Sequence, residues 1–191
     1  MARKGLPDFE ARQGYPRKVL PEGVHPCDET TFKDRFVTGF PQSTTRKGIC
    51  DGFLRFRMDL VARGFCAIQW VDGSFVEEKQ DPSDVDVVTF VDYDWLNCAP
   101  PDAKRFADEV LDAKDKDVTK TKYSTHAFLV RACPQDHAYY AVFEEWRQYW
   151  RKWLGHTRAE GNARPQYAKG LVSMVLGGVT RAPHVSTEGS K

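Results

Sequence analysis

Hydrophobic positions recur along this chain with two periods, and the change from one period to the other marks out most of its elements. From Ser43 to Arg63 the residues Ile49, Phe53, Phe56 and Leu60 are spaced by three and four, which places them on one face of a helix. Ser43, Thr44 and Thr45 supply N-caps and Gly64 a left-handed stop. The next segment, Phe65–Val71, is short, aromatic and branched and closes on Asp72-Gly73, the pattern of a strand running into a turn. A second strand is predicted over Val85–Val91 and a third over Tyr123–Arg131, whose buried part is 127–130. A last strand is predicted over Gly170–Leu176.

Between these strands, Asn97–Pro101 breaks the chain, Asp102 leads a helix carrying Phe106, Val110 and Leu111, and Lys114–Lys122 reads as a charged turn. From about His137 to Leu154, Val142, Trp146, Tyr149, Trp150 and Trp153 fall at i, i+4, i+7, i+8 and i+11. That helical stripe favours core packing, with a partner surface or base stacking as alternatives. The first 26 residues hold Pro7, Pro16, Pro21 and Pro26 among Gly5, Gly14 and Gly23. This density prevents regular helix and disfavours a central strand, so the segment reads as an extended arm whose Phe9, Tyr15, Val19 and Leu20 could lie across a core. Asp28 or Thr30 would cap a short helix through Phe36. The expected division is an arm over 1–26, one domain over 27–180 and a flexible tail over 181–191.

Composition narrows the picture only slightly. A chain of 191 residues suits one domain, and 28 basic against 27 acidic side chains give no field that advertises nucleic acid. The five cysteines are scattered without a C-x-x-C pair, which argues against a disulfide framework and a zinc knuckle. No apolar run approaches the roughly 18–20 residues that cross a bilayer, and the basic start lacks the apolar stretch of a secretory signal. The expectation is a soluble cytoplasmic protein that does not enter a membrane.

The chemistry-bearing stretch is Val71-Asp72-Gly73-Ser74-Phe75-Val76, with Asp84-Val85-Asp86-Val87-Val88 following nine intervening residues after Ser74. Carboxylates at i and i+2 on a strand share a face, and such a pair is most easily kept ionised by a hard cation such as magnesium. Gly73 lets backbone N–H groups approach phosphate oxygens, and the Ser74 hydroxyl adds a donor. Donors of this kind with a metal meet the needs of phosphoryl or nucleotidyl transfer. Lys169, before Gly170, is the best placed of Arg158, Arg164 and Lys169 to reach a phosphate as a point charge. Asp72 reads as a turn former.

Gly73-Ser74 at a strand end with Asp84-Val85-Asp86-Val87 on the next strand resembles the signature of the DNA polymerase β superfamily of nucleotidyltransferases. Over residues 20 to 176 the chain looks closest to small bacterial minimal nucleotidyltransferase-like proteins, through Leu20-Pro21-Glu22-Gly23-Val24-His25, Trp70–Val76, Asp84–Val87 and Tyr167-Ala168-Lys169-Gly170. The resemblance implies an α/β fold with a mixed sheet and helices mainly on one side. It further implies Asp84 and Asp86 as ligands of magnesium or manganese and Gly73 and Ser74 as the cradle of the NTP, which Lys169 would assist. The acceptor would be a hydroxyl of a protein, an RNA or a small molecule, and the role that of a toxin–antitoxin or phage-defence component, with a protein partner or homo-oligomer.

Active relatives usually add a third carboxylate, and at that place this chain has His126. Either His126 acts as a base or soft ligand, or catalysis is lost and a nucleotide- or partner-binding module remains. A nucleic-acid-binding protein is a third reading, against which the near-zero net charge counts.

Overall fold

The computed structural model describes residues 5–111, 117–157 and 167–177. The strands are β1 (Gly23–Pro26), β2 (Ala67–Asp72), β3 (Val85–Asp92), β4 (Thr125–Ala132) and β5 (Gly170–Leu176). They form one five-stranded sheet in the order β1-β5-β2-β3-β4. β1 pairs parallel with β5 and β3 parallel with β4, while β2 runs antiparallel to both of its neighbours. The chain is therefore an α/β protein built on a mixed sheet.

The helices are α1 (Glu29–Lys33, continued by a π-helical turn through Thr38), α2 (Arg46–Ala62) and α3 (Tyr93–Cys98). After them come α4 (Pro101–Phe106, continued by a π-helical turn through Leu111), α5 (Asp117–Tyr123) and α6 (Tyr140–Leu154). One sheet face carries Val71, Val87 and Val172 into a core shared with Ile49, Phe53, Phe56 and Leu60 of α2 and with Phe32 and Phe36 near α1. The other face carries Ile68, Trp70, Val88 and Phe90 against Phe143, Trp150 and Leu154 of α6. Among the described residues most helices thus gather on one side and α6 alone lies on the other.

Local chemistry explains the boundaries. Asp28 caps α1 by accepting the Thr31 N–H at 2.8 Å, and Asp92 caps α3 by accepting that of Trp95 at 2.7 Å. At α2 the capping acceptor is the Ser43 hydroxyl, which takes the N–H groups of Thr45 and Arg46, and Gly64 ends the helix at φ +83°. Arg46 is wholly buried and donates to the carbonyls of Phe36, Phe75, Glu77 and Lys79, so it clasps the β2–β3 connection onto α2.

Three expectations are revised, and a fourth, the arm lying across the core, is extended. Tyr93–Cys98 is helical, because Asp92 supplies a cap that a reading of chain breaks alone passes over. The described part of the charged stretch, from Asp117, is helix and not turn, held by buried Thr119 and Tyr123. It delays β4 to Thr125. The arm is anchored: Val19 and Leu20 are buried, Glu10 bridges Val19, Val19 bridges Glu77, and Gly23–Pro26 forms an edge strand. On α6, Trp150 is buried, whereas Val142, Trp146 and Tyr149 are each 51% exposed. The helix packs chiefly on β4, at the border of the sheet, and only the row through Phe143, Trp150 and Leu154 finds sheet beneath it.

Candidate functional site

The end of β2, the start of β3 and the start of β4 meet at one corner of the sheet, on the α6 face. Asp72 pairs with Asp86 across the antiparallel ladder, and Asp86 pairs with His126 across the parallel one. Alternation along β3 sends Val85 and Val87 into the α2 core and leaves Asp86 on the opposite face with Val88 and Phe90.

Gly73 makes the corner. Its φ of +83° and ψ of −171° are open essentially to glycine alone, and a Cβ there would come within 2.5 Å of Asp86 Oδ2. Ser74 then opens a single 3-10 turn, Ser74–Val76, which the Gly73 carbonyl closes by accepting the Val76 N–H at 3.3 Å. Asp86 is 3% exposed, and its Oδ1 lies 3.1 Å from His126 Nδ1. Asp84 Oδ2 meets Lys120 Nζ at 2.8 Å, and its Oδ1 accepts from the Ser83 hydroxyl at 3.2 Å. Burial alone would raise the Asp84 carboxyl, but Lys120, with help from Ser83 and His126, holds it below its ordinary range.

Beside this pair stands a closed ionic group. Lys169, 3% exposed, reaches Asp72 at 2.9 Å and Glu77 at 3.0 Å. Glu77 also accepts from the Tyr15 hydroxyl at 2.8 Å and from Arg17 Nε at 2.9 Å, which ties the arm to the corner. Two carboxylates share one ammonium. Burial pushes Asp72 up to about 7, against the pull of Lys169 and the Gly73 N–H, and the neighbouring Asp86 adds to the rise. Burial would also raise Glu77, yet Lys169, Tyr15 and Arg17 together hold it low, and the two carboxylates keep the Lys169 ammonium protonated.

A cavity of about 330 Å³ opens in front of these groups. Ser74, Asp84 and Asp86 line it together with Arg17, Lys79 and Trp153. Gly73 and Lys169 also border it, so five of the six residues singled out in the sequence converge on one cavity. His126 stands behind Asp86 and does not line it. Lys169 directs its ammonium at Asp72 and Glu77. Arg158 and Arg164 lie outside the described residues.

Sequence reasoning missed Asp72, Glu77, Arg17 and Lys120. For Asp72 a signal existed, since it shares parity with Ile68 and Trp70. The partners of the other three are set by tertiary structure alone.

Among the described residues no three or more histidine, cysteine, aspartate or glutamate side chains are grouped so as to cage a metal ion. Asp84 and Asp86 nevertheless fit a magnesium-type ion. That ion is commonly held by one or two carboxylates with substrate phosphates completing its shell, and both carboxylates border a polar cavity with space for a ligand. Among the described residues no helix is long and apolar enough to cross a membrane.

Fold and corner together define an α/β protein with an oxygen-lined pocket at the end of a mixed sheet. The chain belongs to a family of unknown function, DUF6932, whose model matches residues 13–175. Comparison with curated proteins and with solved structures returned no match.

Proposed function

We propose that this chain is a metal-dependent nucleotidyltransferase that moves a nucleoside monophosphate from an NTP to a hydroxyl of a protein, an RNA or a small molecule. The observation that carries the reading is that Asp84 and Asp86 border one cavity with the Gly73-Ser74 bend, at a corner where Gly73 admits Asp86 Oδ2 and no side chain. Asp84 and Asp86 would hold magnesium or manganese, which supplies charge neutralisation on the triphosphate when bound. The backbone at Gly73 and the Ser74 hydroxyl bind phosphate oxygens, and Arg17 and Lys79 bring positive charge to the cavity wall. The acceptor hydroxyl attacks the α-phosphorus, its proton is lost to solvent or a base, and pyrophosphate departs. Lys169 serves the corner indirectly, by neutralising Asp72 and Glu77 and so keeping the β2 end rigid.

His126 and Lys120 favour a second reading, a nucleotide-binding module without turnover. An imidazole stands on Asp86 where active members of the superfamily that the motif resembles usually have a carboxylate, and an ammonium already neutralises Asp84. One experiment separates the two. The full chain is incubated with magnesium or manganese and each α-labelled NTP, beside Asp86→Ala. Label transfer or pyrophosphate release that the variant lacks is the expected result. Saturable NTP binding without turnover selects the silent module, and failure to bind any NTP removes both.

A further inference from the structure

The second feature of this molecule lies further along α6, in a groove whose lining shares no residue with the nucleotide cavity, and does not depend on it. A groove of about 480 Å³ runs between α6 and β4, the outermost strand of the sheet. Phe128 and Val130 of β4 line it, and so do Tyr139, Val142, Trp146 and Tyr149, each about half exposed. Trp146 and Tyr149 brace each other edge to face, with ring centroids 5.6 Å apart.

Among the described residues, the backbone along the groove is open as well. The Ala127 N–H donates to the Thr119 hydroxyl at 3.3 Å, so it points away from β3. A strand alternates its backbone groups with period two, and the N–H and C=O of Leu129 and Arg131 therefore leave from the same outer edge. Among the described residues neither has a backbone partner outside the sheet. An edge of this kind is a template for one more strand.

Charge selects what that strand carries. Arg131 is exposed, and among the described residues it is the one charged residue lining the groove and has no ion pair. A second copy of the chain docked through the same edge would bring another arginine and no lining acid to meet it. We infer that the β4–α6 groove is a docking site for an extended segment of a partner protein, which adds a strand to β4. Its apolar side chains alternate into the Trp146–Tyr149 wall, and an aspartate or glutamate sits beside Arg131.

Random peptides of about eight residues, displayed on phage and selected on the full chain, supply the probe. Enriched sequences should alternate apolar with polar positions and carry one fixed acid. Synthesised with a fluorophore, such a peptide should lose about tenfold or more in affinity on Trp146→Ala or Val142→Glu. Both sites are exposed, so the variants should unfold at the parent's temperature. Arg131→Glu should weaken the acidic peptide and favour its acid-to-lysine counterpart, and bound peptide should slow exchange of the Leu129 and Arg131 amides. The inference is overturned by selection that enriches no peptide, or by binding indifferent to both α6 variants. It is also overturned if the chain dimerises in light scattering with the same amides protected as concentration rises.

Discussion

Asp72 and Asp86 face each other across one ladder, yet they belong to two different regions. Asp72 is closed in by Lys169, which it shares with Glu77, and Glu77 is held in turn by Tyr15 and Arg17. Asp86 and its strand neighbour Asp84 border an open polar cavity, with Lys120 against Asp84 and the His126 ring against Asp86. Both regions concentrate negative charge at the same corner of the sheet. The first satisfies it from within, and the second keeps oxygen atoms where a ligand can reach them. A buried ion group closed on itself is a structural device, and carboxylates that border a cavity mark a candidate site.

Breaking the closed region should have the largest effect. Lys169→Met leaves two buried carboxylates with no internal ammonium, and stranding a buried charge costs about 3–5 kcal/mol. Urea unfolding of parent and variant measures it. A loss under about 1 kcal/mol would mean that solvent already reaches the group and that the contrast drawn above is false.

Gly73 joins the two regions, and Gly73→Ala should come next. Alanine is strained at φ +83° with ψ −171°, and its Cβ would press on Asp86 Oδ2, for a loss of about 2–3 kcal/mol. Gly48→Ala is the control, because that helical glycine has nothing within 4 Å of the added carbon and should gain about 0.5–1 kcal/mol. Equal effects at the two glycines would remove the argument for a cradle at the corner.

The pH dependence sharpens the same contrast. Asp72 titrates at about 7 in the folded chain, above its ordinary 3.8. The folded state thus binds that proton more tightly, and this contribution to stability is complete below about 3.8 and is lost as pH rises through about 7. Glu77 has the opposite sign: held low, it adds stability above its ordinary 4.5, which is lost as pH falls through its folded value. Asp72→Asn should therefore gain on the parent as pH rises from about 4 to 7. Denaturation midpoints across that range test it, and parallel curves would show that Asp72 titrates normally.

Sequence periodicity carried four of the five strands and α2 because each buries a face at a fixed interval. Ile49, Phe53, Phe56 and Leu60 do line the core, and β5 spans the predicted residues. Asp84 and Asp86 were legible for the same reason, since i and i+2 on a strand need no tertiary knowledge. Period alone could not say which side of α6 would find something to pack on, so the stripe through Trp146 and Tyr149 was assigned to the core when only one of its members, Trp150, is buried. Lys169 was chosen as a phosphate ligand from its place before β5. Its bonds to Asp72 and Glu77 join residues 97 and 92 positions apart, a separation that no local pattern encodes. α5 was hidden by its charges, because what holds it is the burial of Thr119 and Tyr123 and not a visible apolar period.

The smallest change in stability should come from the open region, and it decides most about function. Asp84→Asn removes one charge from a carboxylate that is 20% exposed and paired with a Lys120 side chain that is 39% exposed. Pairs at such exposure contribute roughly 0–1 kcal/mol, and the amide oxygen still accepts from Ser83, so unfolding should shift by no more than about 0.5 kcal/mol. NTP binding in the presence of manganese should nonetheless weaken by about tenfold or more, because a hard cation favours the charged oxygen that the substitution removes. Stability and binding then come apart at Asp84, whereas at Lys169 they fall together. If Asp84→Asn destabilises the chain as much as Lys169→Met and leaves NTP binding unchanged, the Asp84–Lys120 pair is a second structural clasp. The cavity would then have lost the charge on which the transfer reaction depends.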